Sequence, residues 1–149
     1  MFQVSSFRFQ VKKNVMPTIE RFEDLEAWRV ARDVAREVYL FSKREPFSRD
    51  FCLRDQICRS AVSVMSNIAE GFERDGRREF VNFLSIAKGS AGEVRSQLYI
   101  ALDQKYISEQ EFTCTYDKTV QNCRLISGLI KYLNQTEVQG HKFKLASKT

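Results

Sequence analysis

The sequence lacks most of what would mark a membrane protein or an enzyme. No apolar run approaches the ~20 residues that span a bilayer, and Met1–Val15 has neither the continuous apolar segment nor the small-residue cleavage site of a secretory signal. A cytoplasmic protein with no membrane partner is the expectation. The only histidine, His141, sits in a polar C-terminal stretch without cysteines or an acid cluster around it, so no Ser/His/Asp or Cys/His arrangement is available. No glycine-rich loop that could cradle a phosphate is present, and no internal repeat or low-complexity linker interrupts the chain. The four cysteines, Cys52, Cys58, Cys114 and Cys123, form no C-x-x-C pair. On helices their spacings point each pair to different faces, so they read as buried or half-buried free thiols rather than metal ligands or a disulfide. No cofactor and no metal are expected.

What is present is a chain of 149 residues with 43% hydrophobic and 29% charged side chains, enough for one globular domain with a real core. Its net charge of +5 suggests a nucleic-acid binder until the charge is located. Residues 1–15 carry Arg8, Lys12 and Lys13, and residues 135–149 carry Lys142, Lys144 and Lys148 against Glu137, which leaves residues 16–134 formally neutral. Within that body, Glu20–Glu26 and Asp103–Asp117 are acid-rich, whereas Lys43–Arg59 and Arg74–Arg95 are base-rich. Acid at a helix start complements the macrodipole; basic starts run against it and call for another reason.

Apolar spacing predicts four helices. The first covers about 23–43, with Leu25, Trp28, Ala31, Ala35 and Val38 at three- and four-residue steps, and Pro46 stops it. Trp28 reads as core by default. The second covers about 50–69, with Leu53, Ile57, Ala61, Val64 and Ile68 on one stripe and Gly71 placed as a C-terminal cap. The third covers about 76–103, its stripe interrupted by Gly89, Ser90 and Gly92, which predict close approach of another helix. Ser108 and Glu111 predict a capping box for the fourth, which runs to about Leu133. Short links favour antiparallel neighbours, hence an all-α, antiparallel, up-down-up-down four-helix bundle. Residues 1–15 read as a flexible extension upstream of a sensible start at Met16-Pro17, residues 16–134 as the bundle, and residues 135–149 as a flexible basic tail.

Several blocks resemble a known family. Phe22-Glu23-Asp24-Leu25-Glu26-Ala27-Trp28, Gln56 to Ser63, Ser66-Asn67-Ile68-Ala69-Glu70-Gly71-Phe72, Glu79-Phe80, Phe83 to Ser90 and Leu129 to Leu133 resemble the bacterial four-helix-bundle family named after the intervening sequences of 23S ribosomal RNA genes. The Ser-Asn-Ile-Ala-Glu-Gly block is the most specific; the residue before it, often proline in the family, is Met65 here. The resemblance implies a homopentameric barrel, and a similar bundle is the accessory protein of diversity-generating retroelements, which implies RNA or DNA and a reverse transcriptase as partners. It implies no enzymatic activity.

For the residues themselves, Asn67, Glu70 and Gly71 form a structural motif in which Asn67 and Glu70 could bond the backbone of the Phe72 to Asp75 link or pair with an arginine such as Arg59. Arg54, Arg59, Arg74, Arg77, Arg78, Lys88 and Arg95 are the candidate nucleic-acid-binding residues, with Lys88 and Arg95 seven apart on one flank of the third helix. A rival reading has Arg77 and Arg78 facing the acidic start of the first helix. The lack of interleaved exposed aromatics predicts charge- or shape-directed rather than stacking recognition. Self-association is expected from the broad apolar arc of the fourth helix and from Val30, Phe41 and Val81 off the main stripes. Two alternatives are carried alongside: a protein-interaction scaffold without nucleic acid, and a metal-dependent nucleotide hydrolase using the E-x-x-E spacings of Glu20, Glu23 and Glu26 or of Glu70 and Glu73. The latter pair is expected to straddle the end of its helix.

Overall fold

Each apolar stripe folds into one helix, and a computed structural model describes them over residues 19–135. The helices are α1 (Glu26–Ser42), α2 (Phe51–Glu73), α3 (Arg77–Asp103) and α4 (Glu109–Gln135), with short 3-10 turns at Phe22–Asp24 and Phe47–Arg49 leading into α1 and α2. The N-terminal extension, His141 and, apart from Gln135, the basic tail lie outside the described residues. Consecutive helices pack side by side and α4 returns to α1, giving the antiparallel four-helix bundle. Among the described residues no helix is long and apolar enough to cross a membrane.

The stripes meet in two stacked core clusters. One gathers Ile68, Phe72, Phe80, Leu84, Ile126 and Leu133 at the end where α2 turns into α3. The other gathers Val38, Phe47, Ile57, Val94, Leu98 and Ile107 at the opposite end, and Met65 packs against both. Each such side chain, once fully buried, contributes about 1.5–3 kcal/mol. The helix ends are capped as their chemistry requires. Asp50 accepts the Leu53 N–H at 3.1 Å, and Ser108 and Glu111 form the expected reciprocal box, with N–H···O distances of 2.9 and 3.0 Å.

Several local expectations are corrected. Helix α1 starts at Glu26, behind the 3-10 turn, so Glu20 and Glu23 precede it and the E-x-x-E spacing of Glu20, Glu23 and Glu26 does not present one helical face. Helix α2 does not stop at Ala69: it continues to Glu73, so Glu70 and Glu73 both lie on it. Gly71 is therefore not a cap. It is buried inside α2, where an added Cβ would lie 2.7 Å from Phe83 Cβ and 3.1 Å from Phe80 Cδ1. The left-handed backbone of the following link falls instead on Asp75, at φ 63°. Conversely, Gly89 and Gly92 face open space, and only the buried Ser90 makes the close approach expected of that trio. Val30 and Phe41 are core residues, not surface ones. Trp28 is half-buried, edge-on to Phe22 at 5.2 Å. Of the cysteines, Cys52 and Cys114 are exposed, while Cys58 is half-buried and Cys123 buried.

Candidate nucleic-acid interface

The α2–α3 contact is a seam of small and polar side chains. Ser63 and Ser90 share a hydroxyl hydrogen bond of 2.8 Å, Asn67 donates to the Ser63 carbonyl and hydroxyl at 2.8 and 3.0 Å, and Ser60 donates to Glu93 at 3.2 Å. One helical turn on, Gly71 meets Phe80 and Phe83. Asn67 thus orients the Ser63 hydroxyl from within α2, and Gly71 lets α2 approach α3 closely. Glu70 pairs with Arg74 at 3.0 Å, so its partner is Arg74 rather than Arg59.

That pairing uses up part of the basic set. Arg74 also approaches Glu79 at 3.9 Å and covers the Phe83 ring at 5.1 Å. Arg54 donates to the Ser48 carbonyl and to Asp55, both at 3.0 Å, and lies over Phe51 at 4.8 Å. Arg77 donates to the Leu133 carbonyl at 3.4 Å, where it satisfies the C-terminal end of α4 instead of facing the acidic start of α1. Arg59 and Arg78 are exposed on different helices, near the middle of α2 and at the start of α3. The seven candidates therefore do not make one surface.

Lys88 and Arg95 do share one, and α4 adds to it. Two turns separate Lys88 from Arg95 on α3, and the same two turns separate Arg124 from Lys131 on α4. The antiparallel register brings the pairs together. Arg95 reaches Cys123, the neighbour of Arg124, with Nη1···Sγ 3.4 Å. Lys88 and Lys131 line one shallow depression of about 390 Å³ with Ser127, Ile130, Asn134 and Gln135. None of these four cations has an ion pair among the described residues, whereas Arg44, Arg54, Arg74 and Lys118 all do. A sequence reading finds Lys88 and Arg95 but misses Arg124 and Lys131, although their seven-residue spacing is the same signal.

The same face ends in aromatics. Tyr99, one turn beyond Arg95, is 49% exposed. Its ring lies 4.9 Å from Phe112 and 5.7 Å from Tyr116, which are themselves 5.2 Å apart. The hydrogen bond with Tyr116 raises the Tyr99 hydroxyl pKa above the ordinary phenol value, and the charge of Arg95 opposes that rise. The expectation that the basic surface carries no exposed aromatic is thus overturned.

Other polar clusters are occupied by the fold. Glu37 accepts Thr115 Oγ1 at 2.7 Å and pairs with Lys118, and buried Asn122 donates to the Ala27 carbonyl at 2.9 Å; both join α1 to α4. Among the described residues, no group of three or more His, Cys, Asp or Glu side chains is placed to hold a metal.

Residues 23–128 match the family model described as 23S rRNA-intervening sequence protein. The chain belongs to that family. Among solved structures, the chain is similar to a protein of unknown function from the S23 ribosomal protein family of Bacteroides thetaiotaomicron. It is 25% identical, with a TM-score of 0.65, over 70% of this chain and 95% of that one. No curated protein matches the chain. The matched span of the family includes the α2–α3 seam, both α3 cations and Arg124, and stops before Lys131.

Proposed function

We propose that this family member is a non-enzymatic, self-associating bundle that binds nucleic acid, RNA or DNA, through the α3–α4 face. The observation that carries the reading is the set of four cations, Lys88, Arg95, Arg124 and Lys131, drawn from two helices to one face with no carboxylate partner among the described residues. Cations left unpaired on a formally neutral body are available to phosphates, and neutralising phosphates releases counterions, which drives association. Self-association multiplies the effect, since each copy adds the same four charges. Exposed apolar side chains give it a basis: Leu40 is 69% and Phe51 63% exposed, and Ile86 and Ile100 lie open on α3. The names of the family and of its solved relative both refer to ribosomal components, which makes RNA the first ligand to test.

The test is a binding titration of labelled RNA and DNA across salt, with wild type and a Lys88→Gln/Arg95→Gln double variant. Each lost phosphate contact reduces the slope of log affinity against log salt by about 0.7–0.9, so the double variant should lose about 1.4–1.8 of slope together with affinity. Unchanged affinity and slope in an intact oligomer would remove this face from consideration. Light scattering that returns a 17.4 kDa monomer at micromolar concentration would refute self-association.

A further inference from the structure

We infer that the Tyr99 ring is a base-stacking platform and that the α3–α4 face therefore takes single-stranded nucleic acid in preference to duplex. This rests on the reading of that face as a phosphate-binding surface and specifies which polynucleotide it selects.

Three observations converge on it. The cations and the aromatic lie on one continuous flank: Lys88, Arg95 and Tyr99 follow at seven and four residues along α3, so all three face α4. From Lys88 to Tyr99 the flank is about 16 Å long at about 1.5 Å per residue, room for a few nucleotides. Secondly, Tyr99 is not needed to close the core. It is 49% exposed, while the neighbouring core positions of α3, Leu98 and Ala101, are fully buried. Thirdly, the ring is held in place. Phe112 and Tyr116, both half-buried, pack against it at 4.9 and 5.7 Å, so a base that stacks there meets a surface already ordered.

The chemistry distinguishes the ligands. A cationic groove with an aromatic ring in line with it is the combination that holds unpaired strands, the backbone on the charges and a base on the ring. In duplex the base faces are already stacked on one another, so a duplex engages the four cations and leaves Tyr99 idle. Every base has a π-face, so single strands of either sugar are bound with little sequence preference.

The experiment uses the full chain with labelled homopolymeric DNA and RNA oligonucleotides of about ten nucleotides and with a duplex of the same length, read by fluorescence anisotropy. Wild type should favour both single strands over the duplex. Tyr99→Ala should weaken single-strand binding about 5- to 150-fold, the span of one base-stacking contact. It should leave duplex affinity and the salt slope unchanged. Tyr99→Phe, which keeps the ring, should retain wild-type affinity, and photocrosslinking of a 5-bromouracil strand should map to the peptide containing Tyr99. Equal binding of single strand and duplex, or an equal loss on both with Tyr99→Ala, would overturn the stacking platform while leaving the phosphate-binding face intact. Absence of any binding by the wild-type chain would overturn both.

Discussion

Replacing Gly71 with alanine sets two effects of known sign against each other, and the geometry decides which wins. In an exposed helix interior, glycine to alanine stabilises by up to about 1 kcal/mol, because alanine loses less backbone entropy on folding. At Gly71 the new methyl would sit 2.7 Å from Phe83 Cβ, an atom fixed by the α3 backbone, and 3.1 Å from Phe80 Cδ1. It cannot be accommodated by rotating the end of a side chain; α2 and α3 must separate or shift. Overpacking of that kind costs about 1–3 kcal/mol. The net effect of Gly71→Ala is a loss of about 0.5–2 kcal/mol. Gly89→Ala and Gly92→Ala are the internal controls, since a Cβ at either meets nothing within 4 Å and only the entropic gain remains. Urea unfolding followed by circular dichroism, at one protein concentration because self-association would add to apparent stability, should place Gly71→Ala below wild type and the two controls at or above it. The expected gap between Gly71→Ala and either control is about 1–3 kcal/mol. If Gly71→Ala unfolds at the same midpoint as Gly89→Ala, the close approach of α2 and α3 at this residue is wrong.

Two further predictions concern stability. Arg44 bonds both Glu111 oxygens, at 2.8 and 3.0 Å, and with the Ser108 N–H holds the Glu111 carboxyl down to about 2 from an ordinary 4.5. A folded-state pKa below the unfolded one contributes stability that is present above pH 4.5 and lost as pH falls from there towards 2. The Glu111 side chain is 37% exposed, so solvent screening leaves roughly 1 kcal/mol. Glu111→Gln should lower the unfolding free energy at pH 7 by that amount and flatten its fall between pH 4.5 and 2; an unchanged pH profile in the variant would contradict the assignment. A chain cut to residues 16–134 should still unfold cooperatively, because among the described residues the buried apolar side chains of the two core clusters run from Leu25 to Leu133. Loss of a cooperative transition would show that the ends supply part of the core.

The helices were legible in the sequence because their stripes are long and regular. Leu25, Ala31, Val38, Ile57, Val64 and Ile68 are all buried where their spacing puts them. Gly71 was not legible as packing, because a glycine near a helix end has two physical uses, a left-handed cap and a close contact, and only the position of Phe83 on the next helix chooses between them. Asp75, not Gly71, takes the left-handed turn. Val30 and Phe41 were misplaced for a related reason: a helix in contact with two neighbours buries more than a single stripe. At the candidate interface, Lys88 and Arg95 could be paired within one helix by counting. Their conjunction with Arg124, Lys131 and Tyr116 depends on the α3–α4 register, which the arithmetic of either helix alone does not contain.

The hydroxyl seam between α2 and α3 also bears on how the chain finds its fold. Only the Arg74–Gly76 link separates these two helices, so they can meet early, as a hairpin of low loop-closure cost. Apolar stripes alone tolerate sliding: a shift by one turn, about 5.4 Å, still sets leucines against alanines. The seam does not tolerate it. Such a slip would part the Ser63 and Ser90 hydroxyls from each other and carry Phe83 away from Gly71, the one position on α2 without a Cβ in its path. The Ser63–Ser90 bond and the fit of Phe83 against Gly71 thus favour one register of α2 on α3, so the seam acts as an alignment key for the bundle.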